Sequence, residues 1–232
     1  MIGVYDYTVI LTYLSLLSAG SGIVIALSGD GHPYYGMFFL LFCGLCDAFD
    51  GRVARRKAGR TAMEINYGIQ IDSLADVVAF GVLPACIGVA MMWRSPVFNH
   101  LFGLMPKGFG IALRVVFFAV LILYILAAVI RLAYFNVTEE ERQKTEGGTR
   151  LYYTGLPVTS ASIIFPLVLL IQFLTPHFDV TFVYPILSLL MGFAFLSKIR
   201  IKKPKFKGIM IMVGIGVIEF ILMILFSHVF RK

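Results

Sequence analysis

Apolar residues in this chain run in long blocks, and the polar residues gather in short connections between them. Seven blocks stand out, at about 8–28, 34–52, 68–92, 110–135, 156–175, 180–198 and 207–230. They show neither the alternation of a half-buried strand nor the heptads of a soluble bundle. Roughly 20 apolar residues carry a helix across a bilayer, and several blocks reach that length. The pattern predicts an all-α, polytopic membrane helix bundle. The fifth and sixth blocks are the shortest, and Pro157, Pro166 and Pro185 are placed to bend them. The longest polar connection lies at about 136–154, so no soluble domain is expected, and no internal repeat interrupts the series.

Composition supports this reading. Of 232 residues, 59% are hydrophobic and 14% charged, with a mean hydropathy of +0.88. A soluble domain of this size would need far more charge to cover its surface. The first 20 residues lack the basic region of a cleaved signal and read as a retained first span. The three cysteines give no disulfide framework. Cys43 and Cys46 form a C-x-x-C inside an apolar helix, where they are expected to be small packing residues. His32, His100, His177 and His228 never cluster, which argues against a histidine metal site.

The charge pattern orients the bundle. One side collects Arg52, Arg55, Arg56, Lys57, Arg60, Arg131, Arg142, Lys144, Arg150, Lys198, Arg200, Lys202, Lys203, Lys205 and Lys207. The other keeps Arg94, Lys107, Arg114, Arg231 and Lys232. The rich side is expected to be cytoplasmic, which puts the N-terminus inside and, if all seven blocks span, the C-terminus outside. Topology and attraction to anionic lipid account for most of the net charge of +7, and a minority of the basic residues, those beside the carboxylates described below, could instead bind substrate phosphates. Nucleic acid is not an expected partner, because no soluble module exists to present such a surface.

Within this apolar chain, residues 47–76 carry the chemistry. Asp47, Asp50, Gly51, Ala54 and Arg55 recur at i, i+3, i+4, i+7 and i+8, one face of a helix. Gly68, Asp72 and Asp76 repeat at i, i+4 and i+8, again one face. A polar, basic turn joins the two, so antiparallel helices can oppose these faces and converge four carboxylates. Each ionised Asp in the bilayer costs on the order of 2.5–3.5 kcal/mol on insertion scales, and four together repel. Divalent cations such as Mg²⁺ or Mn²⁺, which favour carboxylate oxygens, would offset that cost. Two ions sharing four carboxylates suit phosphate transfer. Gly51 and Gly68 allow a ligand close to the backbone, and Arg55 can pair with a phosphate. Two other readings stay open here: a structural salt-bridge network with Arg52, Arg55, Arg56 and Arg60, and an ion or proton pathway in a transporter. The pathway predicts acids spread at mid-depth, yet the only other acid within an apolar block is Glu219. Its expected place is a snorkelling or weakly exposed position.

The motif Asp47-x2-Asp50-Gly51-x2-Ala54-Arg55, followed by Gly68-x3-Asp72-x3-Asp76, resembles the signature of the CDP-alcohol phosphatidyltransferases. Twelve residues separate Arg55 from Gly68, where that family usually has about eight, and the excess falls around Lys57 to Ala62. Residues 72–85, 131–137, 153–162 and 189–206 resemble the phosphatidylserine synthase branch. Many relatives have a Thr and an Asn in the first span where this chain has Ser15 and Ser18. The resemblance implies about six core transmembrane helices within residues 1–206, with 207–232 as an additional C-terminal segment. It implies CDP-diacylglycerol as donor and L-serine as acceptor, giving phosphatidylserine and CMP, in a membrane-lipid setting. A sister reaction with glycerol 3-phosphate, inositol phosphate or an archaeal-type lipid donor is the alternative. Asp47, Asp50, Asp72 and Asp76 are then the expected ligands of two Mg²⁺ or Mn²⁺ ions, with Asp76 also the general base. Gly51, Ala54, Arg55 and Gly68 would meet the CMP and phosphate. Arg131, Asn136, Gly155 and Pro157 are the acceptor-site candidates, with Tyr152, Tyr153, Lys198 and Arg200 behind them. For Arg131, a positive-inside anchor weighs equally. The expected location is the cell's inner membrane with the site facing the cytoplasm, and a homodimer is an open state.

Overall fold

The computed structural model describes residues 3–28, 33–145, 152–175, 178–204 and 206–229. His32, His177, Arg150, Lys205, Arg231, Lys232 and the side chain of His228 lie outside that description. Each of the seven apolar blocks is helical. They form α1 (Ile10–Leu27), α2 (Pro33–Arg56), a long third helix, α6 (Lys107–Thr145), α7 (Ala161–Leu174), α8 (Val183–Leu196) and α9 (Phe206–Val229). The third helix is α3 (Ala62–Asp76), a π turn (Val77–Val82) and α4 (Leu83–Arg94) in unbroken succession. Four helical stretches are long and apolar enough to cross a membrane: Ile10–Leu27, Ala62–Arg94, Lys107–Thr145 and Phe206–Phe226. The polar end of α2, with its aspartates and arginines, dilutes that helix's hydropathy. The chain is an all-α integral membrane protein.

The helix ends follow from local chemistry. At the start of α3, Thr61 and Glu64 close a capping box: the Glu64 amide donates to Thr61 Oγ1 at 3.2 Å and the Thr61 amide to Glu64 Oε2 at 2.7 Å. Lys57, in the turn before it, donates to Glu64 Oε1 at 2.7 Å and also pairs with Asp6. The Lys57 ammonium beside Asp6 holds that carboxyl down to about 2. The extra length of the α2–α3 turn is thus tied to the N-terminal segment, and the Tyr13 and Tyr67 hydroxyls add a bond of 2.8 Å.

Small residues let α1 and α2 pack closely. Ser18 Oγ donates to the Phe39 carbonyl at 3.0 Å, and Cys43 Sγ to the Ser15 carbonyl at 3.3 Å. Cys43 and Cys46 are buried and free, as packing residues should be. Below the π turn, Pro84 has no amide to give the Phe80 carbonyl, and the Tyr124 hydroxyl donates to it at 2.6 Å. Tyr184 does the same for the Pro84 carbonyl at 2.7 Å. At the centre of the core, Tyr124 meets Phe165 edge-on and Phe195 at a tilt, and Tyr184 packs at a tilt on Phe165.

Three features escape a hydrophobicity reading. A short helix, α5 (Pro96–Leu104), is capped by Ser95 Oγ, which accepts from the Phe98 amide at 2.9 Å. Helix α6 runs past its apolar block to Thr145, its last turns braced by Glu139–Arg142 and Glu140–Lys144 pairs at 2.6 and 2.7 Å. At 39 residues it is roughly 60 Å long, about twice the hydrocarbon thickness, so it projects beyond the bilayer. Finally, strands β1 (Tyr152–Thr154) and β2 (Arg200–Lys202) pair antiparallel, with Tyr153 opposite Ile201.

Helix α9 packs on α2 and α7, with Phe220 edge-on to Phe38 and the Arg52 guanidinium 4.5 Å from the Phe206 ring centre. Glu219 corrects an expectation. It neither snorkels nor reaches the surface: it is 2% exposed, and both carboxylate oxygens lack a hydrogen-bond partner among the described residues. Its place on the α9 face that meets the bundle overrides the pull toward the interface. A buried acceptor without a partner costs about 1–3 kcal/mol. Glu219→Leu is therefore expected to stabilise the protein by that order, read as a raised unfolding temperature in detergent, while Glu219→Gln should gain less.

Candidate active site

Asp47 and Asp50 sit on the last turns of α2, and Asp72 and Asp76 on the last turns of α3. The polar turn reverses the chain, so the two faces oppose as their spacing predicts. Asp50 and Asp72 are near enough to influence one another. Asp76 lies close enough to feel the charges of Asp47, Asp72 and Asp50. Asp50 and Asp76 are each 8% exposed. The Gly51 amide donates to the Asp50 carboxylate. Among the described residues, none of the four forms an ion pair with a lysine or arginine. Among the described residues, the cluster thus has none of the ion pairs that a structural salt-bridge network would show.

A cavity of about 860 Å³ opens beside these carboxylates. Asp47, Asp72 and Asp76 line it together with Gly51, Arg55, Arg131, Asn136 and Pro157. Asp50, Ala54, Gly68 and Gly155 do not line it. Its far side is apolar, made by Leu41, Phe42 and Leu45 of α2 and by Met212, Val213 and Phe220 of α9. A polar floor continuous with an apolar wall suits an amphiphile with a charged head.

Arg131 is 6% exposed, turned into the bundle and not out toward a surface. Its Nε donates to the Leu156 carbonyl at 3.3 Å, and its guanidinium carbon lies 5.4 Å from the Phe135 ring centre. Asn136 Nδ2 donates to Ser73 Oγ at 2.6 Å, tying α6 to the residue after Asp72. Gly155 has a φ of +77°, and Tyr153 lines the cavity under Lys203. Tyr152, Lys198 and Arg200 do not line it, and Ser15 and Ser18 serve the α1–α2 contact instead. Sequence reasoning missed Ser73, Glu139, Thr159, Ser160 and Ser162, which share the cavity wall. Ser73 was findable, being flanked by two motif positions; the others fall in a connection and a helix start that carry no periodic signal.

The donor set fits hard divalent cations in kind: four carboxylates, near one another, with no ion pair to a lysine or arginine among the described residues. The ligating geometry is not closed, because among the described residues no three His, Cys, Asp or Glu side chains are arranged around one point.

A sequence profile of CDP-alcohol phosphatidyltransferases matches residues 8–226. The chain is 32% identical over 155 residues to the CDP-diacylglycerol–serine O-phosphatidyltransferase of Saccharomyces cerevisiae, covering 63% of this chain and 48% of that one. It is 34% identical over 151 residues to the archaetidylserine synthase of Methanothermobacter thermautotrophicus, covering 65% and 53%. A CDP-diacylglycerol–serine O-phosphatidyltransferase of Helicobacter pylori is 30% identical over 169 residues, covering 71% and 58%. The matched stretch spans about half the length of these curated relatives. With its aspartate motif facing the cavity and the profile matching nearly end to end, the chain belongs to the CDP-alcohol phosphatidyltransferase family.

Proposed function

We propose that this protein transfers a phosphatidyl group from CDP-diacylglycerol to L-serine, giving phosphatidylserine and CMP. The observation that carries this reading is the shared cavity, in which the carboxylate cluster meets Arg131 and Asn136 and runs into an apolar wall. The relatives' names supply the acceptor.

Asp47, Asp50, Asp72 and Asp76 would hold the divalent ions, two Mg²⁺ or Mn²⁺, whose charge when bound offsets the diphosphate and the leaving CMP. The serine hydroxyl oxygen attacks the phosphorus that carries diacylglycerol, the new P–O bond forms, and the bond to CMP breaks. Asp76 accepts the hydroxyl proton. Arg55, Gly51, Ala54 and Gly68 receive the nucleotide and its phosphates. Arg131 pairs with the serine carboxylate, Asn136 orients it, and Gly155 and Pro157 shape that side of the cavity. The excess of Lys and Arg beside the carboxylates supports a site facing the cytoplasm.

Purified protein with Mn²⁺ and CDP-diacylglycerol is expected to release CMP when L-serine is added and not with glycerol 3-phosphate. Release with glycerol 3-phosphate alone would select a sister reaction, and no release with any acceptor would overturn the transferase reading. The archaetidylserine synthase match favours a second form of the same reaction, with an archaeal-type lipid donor. Running both donors in the assay separates the two.

A further inference from the structure

Each of the two motif glycines has an arginine lying across the space its missing side chain leaves. A Cβ built on Gly51 would stand 3.2 Å from Arg55 Nη1, and one on Gly68 would stand 2.9 Å from Arg60 Nη2. Arg55 belongs to the motif. Arg60 does not: it comes from the lengthened turn, and nothing in the motif assigns it a role. Its environment is that of a cation waiting for an anion. Nη2 donates to the Glu64 carbonyl at 3.1 Å, while Nε is buried with no acceptor among the described residues. The nearby carboxylates are occupied, since Asp6 is held by Lys57, and Glu64 by Lys57 and Thr61. Gly68 lies one helical turn, about 6 Å, before Asp72, which opens into the cavity. Gly68 and Arg60 lie beyond the residues that line the cavity, so a diphosphate lodged at Asp72 would reach them by extending its nucleotide out of the cavity along α3, toward the Arg60 guanidinium.

We propose that Arg60 is a nucleotide-binding residue, pairing with the phosphate of the CMP half of the donor above Gly68, as the counterpart of Arg55 above Gly51. This assignment rests on the transferase reading. It also gives the longer turn a purpose: Lys57, Thr61 and Glu64 fasten it so that Arg60 is presented to the site. Lysine would not replace it, because the geometry calls for a planar group with Nε and Nη donors side by side.

The test is binding of CMP and of cytidine to the full chain in detergent with Mn²⁺, for wild type, Arg60→Gln and Arg60→Met. A charge-assisted contact of this kind predicts that CMP binds about tenfold to a hundredfold more weakly in both variants, with cytidine binding unchanged. The donor KM should rise by a similar factor and the serine KM should not move. Unchanged CMP binding, or equal weakening of CMP and cytidine, would overturn the proposal and leave Arg60 a brace for α3. A second readout needs no variant: CMP, and not cytidine, should protect Arg60 of the wild-type chain from phenylglyoxal, located by mass spectrometry. Equal labelling with and without CMP also overturns it. Should the wild type bind CMP through Arg60 yet release none from CDP-diacylglycerol with any acceptor, the transferase reading fails and the arginine assignment stands. Wild-type turnover with CMP binding indifferent to Arg60 would sink the arginine assignment and leave the transferase reading standing.

Discussion

Asp76→Asn is expected to lower serine-dependent CMP release by about 10²- to 10⁴-fold, with the protein still folding and extracting normally. Asparagine keeps the shape of the side chain and removes its ability to take a proton. Asp76 is buried, borders the π turn and shares the cavity with Arg131 and Asn136, the proposed acceptor groups, as Asp72 and Glu139 also do. Stability should not fall, because one of four mutually repelling carboxylates is removed. Two roles are proposed for this residue, and a metal titration separates them. If Asp76 acts only as a ligand, excess Mn²⁺ should restore much of the rate. If it is the base, the rate stays low at saturating Mn²⁺ while CMP binding persists. Wild-type turnover in the variant would remove Asp76 from the mechanism.

Much of this site was legible in the sequence, and for a physical reason. Four acids in an apolar chain are costly, and their spacing by helical turns leaves few ways to bring them together. The opposed faces of α2 and α3 follow from that spacing and from the polar turn between them. Arg131 and Asn136 were legible as polar residues at the end of a span. Their partners were not, because those depend on contacts between elements distant in sequence. Asn136 finds Ser73, and Arg131 finds the Leu156 carbonyl, only once α6 has packed against both. The β1–β2 pair is too short to leave an alternating pattern. Glu219 failed for the opposite reason: a lone acid in an apolar helix reads as interfacial, and only the packing of α9 shows which face it is on. The apolar wall that α9 adds to the cavity was hidden in the same way.

Gly155→Ala is the second large effect expected, and it tests how the backbone holds the acceptor side. Gly155 has a φ of +77°, a conformation that costs other residues about 1–2 kcal/mol. A methyl there would also fall 2.5 Å from the Phe195 carbonyl oxygen and 3.0 Å from that of Ser197. Both are backbone atoms at the end of α8, so neither can swing aside. The Gly155 amide donates to the Ile199 carbonyl at 2.8 Å and the Leu156 amide to the Ala194 carbonyl at 3.0 Å. Any shift must therefore disturb bonds that anchor β1 to β2, and it must carry the Leu156 carbonyl away from Arg131 Nε. Strain and overlap together should cost about 2–4 kcal/mol, seen as a lower unfolding temperature. The serine KM should rise while CMP binding holds. Gly59→Ala supplies the control, since Gly59 has a φ of +70° but open space around its missing side chain. It should show the backbone cost alone, with the serine KM unmoved. If Gly155→Ala matches Gly59→Ala in both readings, the β1–β2 corner does not position Arg131, and the acceptor site must be sought elsewhere on the cavity wall.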